Sequence, residues 1–282
     1  MHIVGDRLLV LGLIGSLVPV WMAEPLARVT SSPSQQSRSL TPLQLEIEKQ
    51  RQRLSAPEVE ERRAALMRLA ALRHPDASRA AVSALNDPSP MVRVTAATAA
   101  LLLPADESAA ALLPLLKDKD GFVRQEVVYA LGRTGNSSAV EPLIERLVQD
   151  KKSGVRGAAA VALGQIRNEA AVAALSQVLS SQIEMAGAGK AKRKGVELNV
   201  FVLRAAAKSL GQIGSARALP ALLGALKNEK APADVRREAA TSLGMIGDPS
   251  ATPALREALA AEDAYLSQAA HEALLKIARA GR

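Results

Sequence analysis

The chain contains no cysteine and little aromatic character: one Trp, two Tyr and two Phe in 282 residues. Without cysteine there is no disulfide, no thiolate metal site, no cysteine nucleophile and no lipid-modified cysteine anchor. With aromatics at 2%, the core has to be built from Ala, Leu, Val and Ile, which suits closely packed helices. Histidine is scarce too, His2, His74 and His271 being the whole supply, whereas a catalytic metal needs several converging ligands. No Gly-x-Ser-x-Gly elbow follows a strand pattern. Gly187-Ala188-Gly189-Lys190 has neither the spacing nor the preceding strand of a phosphate loop. Acid pairs four residues apart, such as Glu141 and Glu145, are ordinary helix-surface patterning. The sequence thus shows no reaction centre, and no catalytic residue, cofactor or metal is expected.

What the chain does contain is a period. Leu85, Leu116, Leu147, Leu179, Leu226 and Leu259 follow one another at 31, 31, 32, 47 and 33 residues, and a period near 32 signals stacked helical repeats. The step of 47 is one period plus about 15 residues, so an insertion lies inside the array without disturbing its phase. In the third unit Val123, Val127, Ala130, Leu131 and Thr134 mark one face of a first helix. Val140, Leu143, Ile144 and Leu147 mark the stripe of a second. One such pair cannot bury both stripes, so stacking is required. Gly135, Gly214 and Gly247 suit helix C-termini between the two helices.

Counting along the chain predicts six pairs, at 57–86, 88–117, 119–149, 151–181, 199–228 and 231–260, with a capping helix at each end. The first cap starts at Thr41-Pro42-Leu43-Gln44, an N-cap with a first-turn proline and a capping-box Gln, and runs to about Leu54. Ser55-Ala56-Pro57-Glu58 is a close variant that opens the array, and a charged helix from about 263 ends it. The fold class is all-α, an α-solenoid spanning 41–282.

Ahead of it, Leu8 to Ala23 is an uncharged apolar run preceded by Arg7, with the form of a secretory signal h-region. Sixteen residues fall short of the roughly 20 that span a bilayer. Residues 1–27 are expected to be a cleaved signal peptide, or else an uncleaved anchor, and 28–40, rich in Ser, Pro and Gln, a flexible linker. The expected location is exported, periplasmic or anchored in the inner membrane, with membrane contact only through an uncleaved N-terminal segment.

Between units the chain repeats an acid and a base six residues apart, Asp87 with Arg93, Asp118 with Arg124 and Asp150 with Arg156. With Val123-Arg124, Leu131-Gly132 and Leu143 to Leu147, this order resembles the HEAT repeat family, in particular its short bacterial and phycobilisome-lyase-like branch. The resemblance covers Pro57 to about Ala280. It implies that these Asp and Arg residues form a polar ladder linking neighbouring inter-repeat loops. In the fifth unit the Arg position is Leu203, and in the sixth Lys230 stands six residues before Arg236, so the ladder is expected to lapse after the insertion. Deoxyhypusine hydroxylases of this family hold a di-iron site with several His-Glu pairs; here there is one, His271-Glu272, too few for that site.

The family architecture also implies that second-helix residues outside the buried stripe line a concave face. These are Glu141, Glu145 and Arg146, then Ala173, Ser176 and Gln177, then Ala221, Gly224 and Lys227, then Ala254, Arg256 and Glu257. A second candidate is the insertion, 183–199, with Lys190, Lys192, Arg193 and Lys194 amid Gly and Ala. A solvated, solubilising loop is the plainer reading of that charge run. Met91, Phe122, Phe201 and Tyr265 each precede the anchor residue of a first helix, as helix-start staples or as an apolar ridge. Lys plus Arg outnumber acids by 36 to 28, a formal +8, which favours acidic partners.

The expected function is a non-enzymatic scaffold binding a protein partner, an acidic one favoured by the charge, or an anionic envelope surface. A bilin-lyase-like or other HEAT-repeat enzyme subunit is one alternative. A nucleic-acid-binding HEAT protein is another, disfavoured because Phe122, Tyr129, Phe201 and Tyr265 offer little base-stacking platform.

Overall fold

Thr41 opens the first helix by the reciprocal capping its sequence predicts. Its Oγ1 accepts the Gln44 N–H at 3.2 Å, and the Gln44 side chain accepts the Thr41 N–H at 2.9 Å. The computed structural model describes residues 40–187 and 199–281, which belong to a unit that starts at Leu40. The expected signal segment, 1–27, and all of the expected linker 28–40 except Leu40 lie outside the described residues, and so do Lys190, Lys192, Arg193 and Lys194.

After α1 (Pro42–Arg53) the chain folds into successive pairs. They are α2 (Val59–Ala71) with α3 (Pro75–Val82), α4 (Pro90–Ala100) with α5 (Ala105–Leu112), and α6 (Gly121–Thr134) with α7 (Val140–Gln149). Then come α8 (Ser153–Ile166) with α9 (Val172–Gly187), α10 (Val200–Ile213) with α11 (Leu219–Lys227), and α12 (Ala233–Ile246) with α13 (Thr252–Ala258). The last helix, α14 (Ala264–Ala280), takes the next first-helix position. No strand occurs among the described residues. First helices pack against first helices through the array, and α7, α9, α11 and α13 continue as a second layer. This is the α-solenoid that the period predicts, with a cap at each end.

The layers meet in a core of Leu, Val and Ala. Val123, Val127, Leu131, Leu143 and Leu147 are buried in the third unit, as are Val155, Ala159, Leu163, Leu175 and Leu179 in the fourth. Five of the phase-setting leucines are buried, but Leu259 is 39% exposed. Two boundaries also move. The array opens at Val59, with Glu58 as an N-cap whose side chain makes no capping bond. The second helix of the fourth unit continues to Gly187, past the expected start of the insertion at 183. Ile183 is buried there, extending the stripe of Leu175 and Leu179 by another helical turn.

From the third unit onward the bend from first to second helix is made by a left-handed residue, φ 67° at Gly135 and 77° at Gly214 and Gly247. In the fourth unit Arg167 holds φ 56° at that place. A short 3-10 turn follows, primed by Asn136, Asn168 and Asp248, whose side chains accept the N–H two residues on at 2.8–2.9 Å.

Candidate binding surface

Along the edge formed by the inter-repeat loops, each ladder aspartate first orders its own turn. The Oδ1 atoms of Asp87, Asp118 and Asp150 accept the N–H of Ser89, Asp120 and Lys152 at 2.8–2.9 Å. The carboxylate thus fixed is gripped in two-pronged fashion by the arginine of the preceding unit. Arg93 bonds Asp118 at 2.7 and 2.8 Å, and Arg124 bonds Asp150 at 2.8 and 2.9 Å. The pairs six residues apart are joined differently, through the backbone: Arg93 Nη1 donates to the Asp87 carbonyl, Arg124 to Asp118 and Arg156 to Asp150, at 2.8–2.9 Å. Arg93 and Arg124 therefore each tie their own loop to the next.

Sequence spacing missed the first rung. Arg62 grips Asp87 at 2.7 and 3.0 Å and donates to the Ala56 and Pro57 carbonyls. Its signal was its place, 31 residues before Arg93. Burial alone would raise the carboxyls of Asp87, Asp118 and Asp150, but the arginine hydrogen bonds, the turn N–H groups and the nearby positive charges hold all three below the usual carboxylate range.

After the insertion the regular ladder stops. The turn residue equivalent to Asp87 in the sixth unit is Asn228, whose Oδ1 accepts the Lys230 N–H at 2.9 Å. The loop is two residues longer than the six-residue spacing assumes, and Arg236 instead donates from Nε to the Leu226 carbonyl at 3.1 Å. One rung then reappears, shifted by a residue: Arg237 grips Asp263, the N-cap of α14, at 2.8 and 3.0 Å.

On the second helices, Glu141, Glu145, Gln177, Lys227 and Arg256 are exposed as the stripe predicts. Four other positions differ, among them Ser176, which is half-buried with its Oγ shielded from solvent. Ala221 and Ala254 are buried, packed between helices and absent from any open face. Arg146 is half-buried, bonded to Glu145 and 3.8 Å from Asp150, so its guanidinium serves the ladder.

Met91, Phe122, Phe201 and Tyr265 occupy the second position of their helices and are 42–70% exposed. The two aromatics after the insertion do not staple their own helix. Phe201 lies over Gly157 of the preceding unit, and the Tyr265 ring lies 5.1 Å from the Arg237 guanidinium. Gly157 and Arg237 each follow the ladder-position arginine of their unit, so this is a recurring contact between neighbouring units. His74 is the N-cap of α3, its Nδ1 accepting the Asp76 N–H at 3.2 Å. Among the described residues no three His, Asp or Glu side chains converge as a metal site would require, and no helix is long and apolar enough to cross a membrane.

The stacked pairs and the ladder define a helical-repeat solenoid. The HEAT repeats family matches residues 47–131, 109–184 and 199–275, and the chain belongs to it. No curated protein matches the sequence. Among solved structures, an engineered protein is similar at 20% identity and TM-score 0.51, covering 82% of this chain and 68% of its own. The complex of CpcE and CpcF of phycocyanin lyase from Nostoc sp. is similar at 24% identity and TM-score 0.45, over 88% of this chain and 81% of that one. Human deoxyhypusine hydroxylase is similar at 21% identity and TM-score 0.41, over 83% and 96%. These likenesses concern the fold alone.

Proposed function

We propose that the protein is a non-enzymatic scaffold that holds an acidic protein partner, and that it works outside the cytoplasm. The observation that carries the binding role is the second-helix layer. Helices α7, α9, α11 and α13 lie side by side and present Glu141, Gln177, Lys227 and Arg256 to solvent. A continuous rigid face of this kind is how solenoids recognise extended partners. The formal charge of +8 supports an acidic partner, and removing 1–27 takes away one base and two acids, raising it to +9. The apolar run of Leu8 to Ala23 behind Arg7 supports export, which also speaks against a bilin-handling or nucleic-acid-binding role.

The binding role is tested by placing a photo-crosslinking residue in the living cell at Gln177, on the second-helix face, and separately at Arg133, exposed on a first helix. A discrete protein adduct at Gln177 and none at Arg133 is expected; equal labelling, or none, counts against the face. Cell fractionation with intact-mass measurement tests export. An unprocessed chain in the cytoplasmic fraction ends that part of the reading.

A further inference from the structure

The ladder edge carries a charge that the ladder itself does not neutralise. Asp118 and Asp150 are held by Arg93 and Arg124, while Lys117, Lys119, Lys151 and Lys152 stand exposed on the same two loops. Between those loops lies a cleft of about 490 Å³, lined by these four lysines with Arg124 and Arg146 against only two acids, Asp118 and Asp150. An adjoining cleft of about 390 Å³, nearer the N-terminus, shares Lys117 and Lys119 and adds Arg93. The stem of Lys152 is seated beside the ladder. A Cβ on Gly121 would lie 3.1 Å from Lys152 Cγ and 3.7 Å from Arg124 Nη2, so the missing side chain makes room for the lysine stem beside the ladder guanidinium.

Neighbouring helices in such arrays are about 10 Å apart, so the clefts recur at that step. An extended peptide advances about 3.3 Å per residue, which brings every third side chain to the next cleft. We propose that the edge formed by the loops 117–121 and 149–152 docks an extended acidic segment of the protein partner, with carboxylates at every third residue facing successive clefts. The charge balance calls for an anion, and the repeat sets the spacing of its charges. A single nucleic-acid strand would gain little, because no aromatic side chain lines either cleft for bases to stack on. A flat lipid surface would meet the lysine tips but not the recessed guanidiniums of Arg93 and Arg124.

This inference rests on the partner being acidic, and the test separates the two. Fluorescein-labelled peptides of about 18 residues, one with aspartate at every third position and one of the same composition with no two aspartates three apart, are titrated onto the full chain at several salt concentrations. The phased peptide is expected to bind at least about fivefold tighter, with affinity falling as salt rises. The combined Lys119→Gln, Lys151→Gln and Lys152→Gln chain, or Lys119→Gln alone if the triple variant melts early, is expected to lose at least about tenfold or threefold respectively. Changing Lys190, Lys192, Arg193 and Lys194 to Ser is expected to leave this binding intact. No binding of either peptide removes the acidic partner and the cleft together. Equal affinity for both peptides, or binding that survives the Lys119 substitution, overturns the cleft alone. Vesicles of phosphatidylcholine and phosphatidylglycerol that bind through the same lysines, when the phased peptide does not, would assign the edge to a membrane instead.

Discussion

Arg124 and Asp150 are joined by two parallel hydrogen bonds of 2.8 and 2.9 Å, 26 residues apart in sequence and with side chains only 13% and 1% exposed. Removing one member of a buried pair leaves the other charge uncompensated, which costs about 3 kcal/mol. Asp150→Ala is therefore expected to lower stability by about that amount in urea denaturation at pH 7, and to loosen the loop that Lys152 N–H now anchors. The pH dependence follows from the same geometry. The Asp87, Asp118 and Asp150 carboxyls titrate below their ordinary value of 3.8 in the folded chain. Their stabilisation is complete above that value and drains away as pH falls through the lower folded-state values. Wild type should lose stability steeply below about pH 4, and Asp150→Asn should lose it less steeply while starting lower. Identical acid slopes for the two would refute the argument.

Gly211 lies against α12 so closely that an added Cβ would come within 2.8 Å of Ser242 Cα, a backbone atom that cannot swing aside. Gly211→Ala is expected to destabilise by about 1–3 kcal/mol, even though alanine is the better helix former. Gly224, on the exposed side of α11, has nothing within 4 Å of the same added atom. Gly224→Ala should stabilise by up to about 1 kcal/mol. Thermal melts of the two variants should shift in opposite directions.

The contrast between those two glycines shows what sequence alone reveals here. The period, the pair boundaries and the Thr41 cap were legible because each unit meets only its neighbours, so local patterns carry almost all the structural information. The burial of Ala221 and Ala254 was not, since alanine reads the same on an open face as in a tight helix crossing. The ladder residues were legible as a set, but their pairing was not. Spacing of six suggested partners within one loop, whereas an arginine side chain is long enough to reach the next. Arg62 escaped notice because Ala56 stands where an aspartate begins each of the next three loops, and the Asn228 turn because its loop is two residues longer. Of the candidate binding surface, the exposed second-helix positions followed from the stripe. The lysine-lined clefts did not, because they form only when two loops distant in sequence are stacked.

Ser209 and Ser242 occupy the same place in consecutive first helices and are both buried, but they are not equivalent. Ser209 Oγ donates to the Ala160 carbonyl at 2.7 Å across 49 residues, while Ser242 Oγ has no hydrogen-bond partner among the described residues. Ser209→Ala should cost about 1 kcal/mol for the lost bond. Ser242→Ala removes a desolvated hydroxyl that bonds nothing, so it should be neutral or stabilise by up to about 1 kcal/mol. Equal losses from both, measured by chemical denaturation, would show that volume and not hydrogen bonding governs this position.

Arg167 tests the bend between helices in isolation. The third, fifth and sixth units turn on glycines at φ 67–77°, but the fourth places a residue with a side chain at φ 56°. The left-handed conformation costs a residue with a Cβ about 1 kcal/mol relative to glycine, and among the described residues the Arg167 side chain makes no hydrogen bond or ion pair that would repay it. Replacing Arg167 by Gly should therefore stabilise the chain by about 0.5–1 kcal/mol, the unfolded-state entropy of glycine taking back part of the gain. Replacing Gly214 by Ala should do the reverse by a similar amount, since nothing crowds the added atom and only its φ of 77° opposes the change. A loss of stability in Arg167→Gly would mean that the arginine side chain holds the fourth unit through contacts stronger than the strain of its backbone.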